Sequence, residues 1–128
     1  MRHLVSMAAT ATLIFSAQLD AQTTDESVII LPLEAQTCNL PVAPARIPEE
    51  ATYDDLAKAK GNVVTFQNAM VSYRECLDAA GNGTILTEGN EVAINDAHNY
   101  SVEMEERIAE QFNIAVRAYK ARQAEAQE

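Results

Sequence analysis

Through the second half of the chain, apolar residues recur at alternating spacings of three and four, the period of one face of an α-helix. The first such stretch is Leu56, Ala59, Val63, Phe66, Met70, Tyr73 and Leu77, every position apolar or aromatic. Thr52 precedes it with a hydroxyl suited to accept the amide hydrogen bond of Asp55, and Asp54 and Asp55 suit the positive end of the helix dipole. The pattern predicts an amphipathic helix over about 53–78, with Gly61 a weak point on its exposed side. Gly81-Asn82-Gly83 marks its end, since these residue types enter turns at positive φ. A second stripe follows: Ile94, Ala97, Ser101, Met104, Ile108, Phe112, Ala115 and Tyr119, widened by His98 and Val116. Glu103, Glu106, Glu110 and Arg117 fall on its solvated side. With Asn90 as cap, this helix is expected over about 91–121, with a fraying tail after Arg122.

Two long helices joined by a short loop pack antiparallel. The expected fold class is therefore all-α: an antiparallel two-helix hairpin over 52–128. The second stripe is about 120° wide, broader than one partner helix needs. Its excess calls for a further cover, from the chain's own N-terminal part, from dimerisation into a four-helix bundle, or from another protein.

Upstream the pattern changes character. Arg2 and His3 form a short positive start, Leu4 to Phe15 is apolar without a helical period, and Ser16 to Ala21 is a small-residue exit. This reads as a secretory signal peptide over 1–21 with cleavage before Gln22. The run of about a dozen residues is too short to span a bilayer, which takes about 20. No cysteine follows closely enough to carry a lipid, so the product is expected to be soluble, in a periplasm or secreted. Residues 22–51 form an irregular segment, with Val28-Ile29-Ile30-Leu31 as an apolar tether, and then a strap holding Pro41, Pro44 and Pro48. Prolines so close together remove donors and favour an extended, polyproline-like path.

Cys38 and Cys76 are the two cysteines. In an oxidising compartment the expectation is a disulfide between them. A metal site lacks the Cys-x-x-Cys spacing, and a redox pair usually sits closer in sequence. Reach permits the bond. The first helix from Tyr53 to Leu77 is roughly 37 Å long, and the strap from Cys38 to Thr52 spans roughly 43 Å at polyproline rise. Cys76 also lies off the apolar seam, on a flank shared with Thr65, Ala69 and Ser72, whose small side chains let a proline-rich segment approach. The disulfide is thus expected to staple the strap along the first helix.

Charge narrows the partners. The formal net charge is −10, and the nine Lys and Arg are scattered. That balance repels nucleic acid and anionic lipid surfaces and leaves no phosphate-binding footprint.

Candidate chemistry is thin. The link between the helices places Asp78, Asn82, Gly83 and Ile85 in the register of a helix–loop–helix calcium site. Ala80 stands where a third oxygen ligand belongs, and Glu88 is one residue short of the position of the bidentate carboxylate, which Gly89 occupies. Asp78, Asn82 and Glu88 are weak cation candidates, and a Gly-rich turn is the expected structure. His98 near Glu91, Asp96 and Glu105 lacks a second His or Cys for a metal site. No nucleophile stands in a recognisable setting such as Gly-x-Ser-x-Gly. No catalytic residue, metal or cofactor is expected. Phe66, Tyr73, Phe112 and Tyr119 lie at helical spacing and are expected in the core. Asn82-Gly-Thr84 and Asn99-Tyr-Ser101 match the glycosylation sequon, the second inside a predicted helix.

The order of features resembles a type of small signal-peptide-bearing bacterial envelope protein. The residues that carry the likeness are the Cys/Pro strap, Cys76-Leu77-Asp78 at the end of the first helix, His98-Asn99 in the second, and the stretch Phe112-Asn-Ile-Ala-Val-Arg-Ala-Tyr119. The resemblance implies an exported helical protein and brings no catalytic residues with it. The expectation is a non-enzymatic envelope protein with a structural or protein-interaction role. A weak cation or small-ligand binder acting through the 78–88 loop is the alternative.

Overall fold

The computed structural model describes residues 28–128; the expected leader, 1–21, lies outside the described residues. Two helices make the body: α1, Tyr53–Asn82, and α2, Glu88–Glu125, packed against each other as a hairpin. A short 3₁₀ turn, Ala35–Thr37, precedes them, and no strand occurs among the described residues.

α1 starts where Thr52 and Asp55 satisfy each other's backbone. The Asp55 amide donates to the Thr52 hydroxyl at 3.2 Å, and the Thr52 amide donates to the Asp55 carboxylate at 2.9 Å. Two amides that the helix ladder leaves orphaned are thus bonded. All seven apolar positions of the expected seam are buried, and Ala80 extends it by one turn. On α2, Ser101 and Ile108 are buried, and Ile94, Met104 and Phe112 pack against the buried residues of α1.

The helix ends differ from expectation. α1 runs through Gly81 and Asn82, and the Gly83 amide still donates to the Ala79 carbonyl at 3.1 Å. Gly83 keeps right-handed geometry at φ −89°, and no described residue has positive φ, so the expected positive-φ glycine turn is not made. The reversal is made by the link 83–87. At Gly81 a β-carbon would meet the Ile94 side chain at 3.5 Å, an ordinary van der Waals contact, so the packing there does not demand glycine. At the other side of the link Thr87, not Asn90, caps α2. Its hydroxyl accepts from the Asn90 amide, and the Asn90 side-chain oxygen accepts from the Thr87 amide. Asn90 is therefore the third residue of a capping box, which moves the start of α2 back to Glu88. At the far end α2 stays helical past Arg122 to Glu125.

The N-terminal segment covers one side of the hairpin. Ala35 inserts into a core cluster with Tyr73, Leu77 and Ala80, flanked by Leu31, Cys38, Ile94 and Ala97. Cys38 and Cys76 are bonded with Cα atoms 5.7 Å apart. From there the strap runs antiparallel to α1. Pro41 and Pro44 line a shallow cleft with Asn62, Thr65, Phe66 and Ala69, and Ile47 and Pro48 line another with Lys58 and Ala59. The small-residue flank thus receives the prolines. Arg122 closes the open end, donating from Nη1 to the Glu49 carbonyl at 3.0 Å and from Nη2 to the Ala51 carbonyl at 2.7 Å. The strap is held at both ends, by a covalent bond near the hairpin tip and by one guanidinium near the start of α1.

Candidate interaction surface

The hairpin has two long grooves between its helices, and their chemistry differs. The strap runs along one. Its outer edge leaves a groove of about 560 Å³ between Arg46–Glu49 and the α2 residues Gln111, Ile114, Ala115 and Ala118.

The other groove is bridged by side chains. Arg74 on α1 reaches across to α2, where its Nη1 donates to the Ser101 hydroxyl at 3.3 Å and lies 2.9 Å from Glu105 Oε2. Ser101 is fully buried and donates in turn to the His98 carbonyl at 2.6 Å. No buried side-chain nitrogen or oxygen among the described residues lacks a partner. At 3.6 residues per turn, the residues that share the Arg74 side of α1 are Lys60, Val64, Gln67, Val71 and Asp78. Those that share the Glu105 side of α2 are Glu91, Asn95, His98, Val102, Ala109, Val116 and Lys120. Val64, Val71 and Val102 are 47%, 44% and 36% exposed, which leaves a valine strip outside the folded core. The α1 part of this surface has a three–four spacing that sequence reasoning passed over, because Lys60, Gln67 and Arg74 interrupt its apolar positions.

The residues singled out for chemistry are not brought together. Asp78 and Asn82 lie in the last turns of α1 and Glu88 opens α2, all exposed. Among the described residues no group of three or more His, Cys, Asp or Glu is placed to hold a metal ion. His98 is half-buried and enters the hydrogen-bond network through its carbonyl oxygen. Phe66 and Tyr73 are buried, and Phe112 and Tyr119 are half-buried, with the Arg122 guanidinium 6.0 Å from the Tyr119 ring centre. The Asn99-Tyr-Ser101 sequon is internal to α2, with Ser101 closed off from solvent.

Two side chains have displaced proton affinities. The hydrogen bonds from the Thr52 amide and hydroxyl, helped by nearby Lys58, hold Asp55 below the ordinary aspartate value. Burial pushes the Tyr73 phenol up.

Comparison with protein-family models, curated proteins and solved structures finds no match to this chain. No helix among the described residues is long and apolar enough to cross a membrane.

Proposed function

We propose that this chain is an exported, non-enzymatic envelope protein that works through protein–protein contact. The observation that carries the reading is the bridged groove with its valine strip. One side of the hairpin is closed by the chain's own strap, and the other presents half-exposed Val64, Val71 and Val102 along two helices. A flat two-helix face with apolar centres and charged edges is suited to pack against further helices. Export is supported by the apolar leader, by the Cys38–Cys76 disulfide, which persists in oxidising compartments, and by the resemblance to signal-peptide-bearing envelope proteins. The net charge of −10 favours a protein partner over nucleic acid or anionic lipid.

The test is fractionation followed by in-cell photocrosslinking from position 71. Recovery of the oxidised protein outside the cytoplasm, with discrete crosslinked protein species, is the expected result. A cytoplasmic, reduced protein, or an exported one that forms no protein crosslink from this face, overturns the reading.

A further inference from the structure

Two lysines and two carboxylates on this face are segregated along its length, while exposed Glu75 and Glu106, one turn beyond Val71 and Val102, flank its middle. Lys60, in the third turn of α1, and Lys120, in the second-last turn of α2, lie at the open end of the hairpin. Asp78, in the second-last turn of α1, and Glu91, in the first turn of α2, lie at the tip end. All four are exposed, whereas Arg74 and Glu105 at the middle are paired with each other. One end of the face is therefore positive and the other negative, on a chain with only three lysines and a net charge of −10.

Resting on the protein-contact reading above, we propose that the occupant of this face is a second copy of the chain, packed antiparallel into a four-helix bundle. Two identical faces meet about a two-fold axis lying in the interface, and that axis has two settings. Parallel to the helices, it stacks lysines on lysines and carboxylates on carboxylates. Perpendicular to them, it sets Lys60 and Lys120 of each copy over Asp78 and Glu91 of the other and brings Val64, Val71 and Val102 together at the centre. Like charges in register disfavour the first setting and the complementary ends select the second. The stretch from Lys60 to Asp78 is roughly 27 Å long and two helices are roughly 20 Å wide. A contact of that extent, roughly 540 Å² per partner, falls in the small, weakly associating class of specific interfaces. The strap leaves this side clear, because it runs beside Asn62, Thr65 and Ala69 on the opposite flank of α1.

The experiment is sedimentation equilibrium of the purified, oxidised protein and of two charge-reversed variants, Lys60→Glu/Lys120→Glu and Asp78→Lys/Glu91→Lys. All four positions are solvent-exposed, and circular dichroism verifies that the helices are intact. The expected result is a wild-type dimer that weakens with salt. Each variant alone should dissociate at about tenfold higher protein concentration. An equimolar mixture should recover heterodimers, because two negative ends then face two positive ends. A dimer indifferent to both reversals overturns the proposed packing. A monomeric wild type that still crosslinks to another envelope protein through position 71 overturns the second-copy assignment and leaves the protein-contact reading standing. A monomer with no such crosslink overturns both.

Discussion

Arg122, in the last turns of α2, donates to the backbone carbonyl of Ala51, the residue that leads into the cap of α1, at 2.7 Å. The same guanidinium holds the Glu49 carbonyl. Two carbonyls of a segment without a backbone partner there are thus served by one cation, which also lies over the Tyr119 ring. Truncation removes two charge-assisted hydrogen bonds at a half-exposed site. Arg122→Ala should cost about 1–2 kcal/mol in denaturant unfolding. Arg122→Lys should recover only part of it, because an ammonium lacks the planar fork.

The disulfide holds the other end of the strap. Closing a chain segment of this length contributes on the order of 4 kcal/mol by loop entropy, so Cys76→Ser should lower stability by an amount of that order. The hairpin seam does not run through the bond, and the helical circular dichroism should persist. Strap release is read best at Arg46, an exposed trypsin site in its middle. Cleavage after Arg46 should accelerate several-fold on reduction. Unchanged cleavage, or loss of all helicity, contradicts the view of the bond as a strap staple.

Arg74, Ser101 and Glu105 bridge the groove opposite the strap. With Arg74 and Glu105 side chains 18% and 23% exposed, the pair is screened by water and its net worth is modest. A double-mutant cycle on Arg74→Met and Glu105→Gln should give a coupling of about 1 kcal/mol. Ser101→Ala, which leaves the Arg74–Glu105 pair in place, should cost less than either.

Two pH effects follow with opposite signs. Asp55 has a lowered folded-state pKa, so its contribution is present above the unfolded aspartate value and lost as pH falls through the folded value. Asp55→Asn should therefore flatten the acid limb of the stability profile. Tyr73 has a raised folded-state pKa through burial, so its contribution is complete below the unfolded tyrosine value and lost as pH rises through the folded one. In ultraviolet difference titration, the phenol absent from Tyr73→Phe should be the one that ionises above the ordinary tyrosine range.

What the pattern of residues revealed, and what it hid, has a physical basis. The seam from Leu56 to Leu77 was legible because every third or fourth position is apolar and all seven are buried. The pairing of Cys38 with Cys76 and the course of the strap were legible because chain reach and small flanking residues allow them. The end of α1 was not. Glycine permits positive φ without requiring it, and Gly83 remains right-handed. The start of α2 was displaced because both Thr87 and Asn90 are capping residue types, and only reciprocal bonding decides which one caps. Arg122 at the strap and Arg74 at Ser101 pair residues far apart in sequence, where no local spacing announces them. The valine strip escaped notice for a similar reason: most positions on its face are polar, and its two halves meet only once the hairpin closes.

The surface proposed for protein contact is the face opposite the strap. Sedimentation equilibrium of Val71→Glu beside Val42→Glu tests it most directly, since Val42 is 92% exposed on the strap and Val71 is 44% exposed on the valine strip. A dimer abolished by Val71→Glu and unaffected by Val42→Glu is the expected result. Association that survives Val71→Glu but is lost in Val42→Glu contradicts the account and moves the contact to the strap.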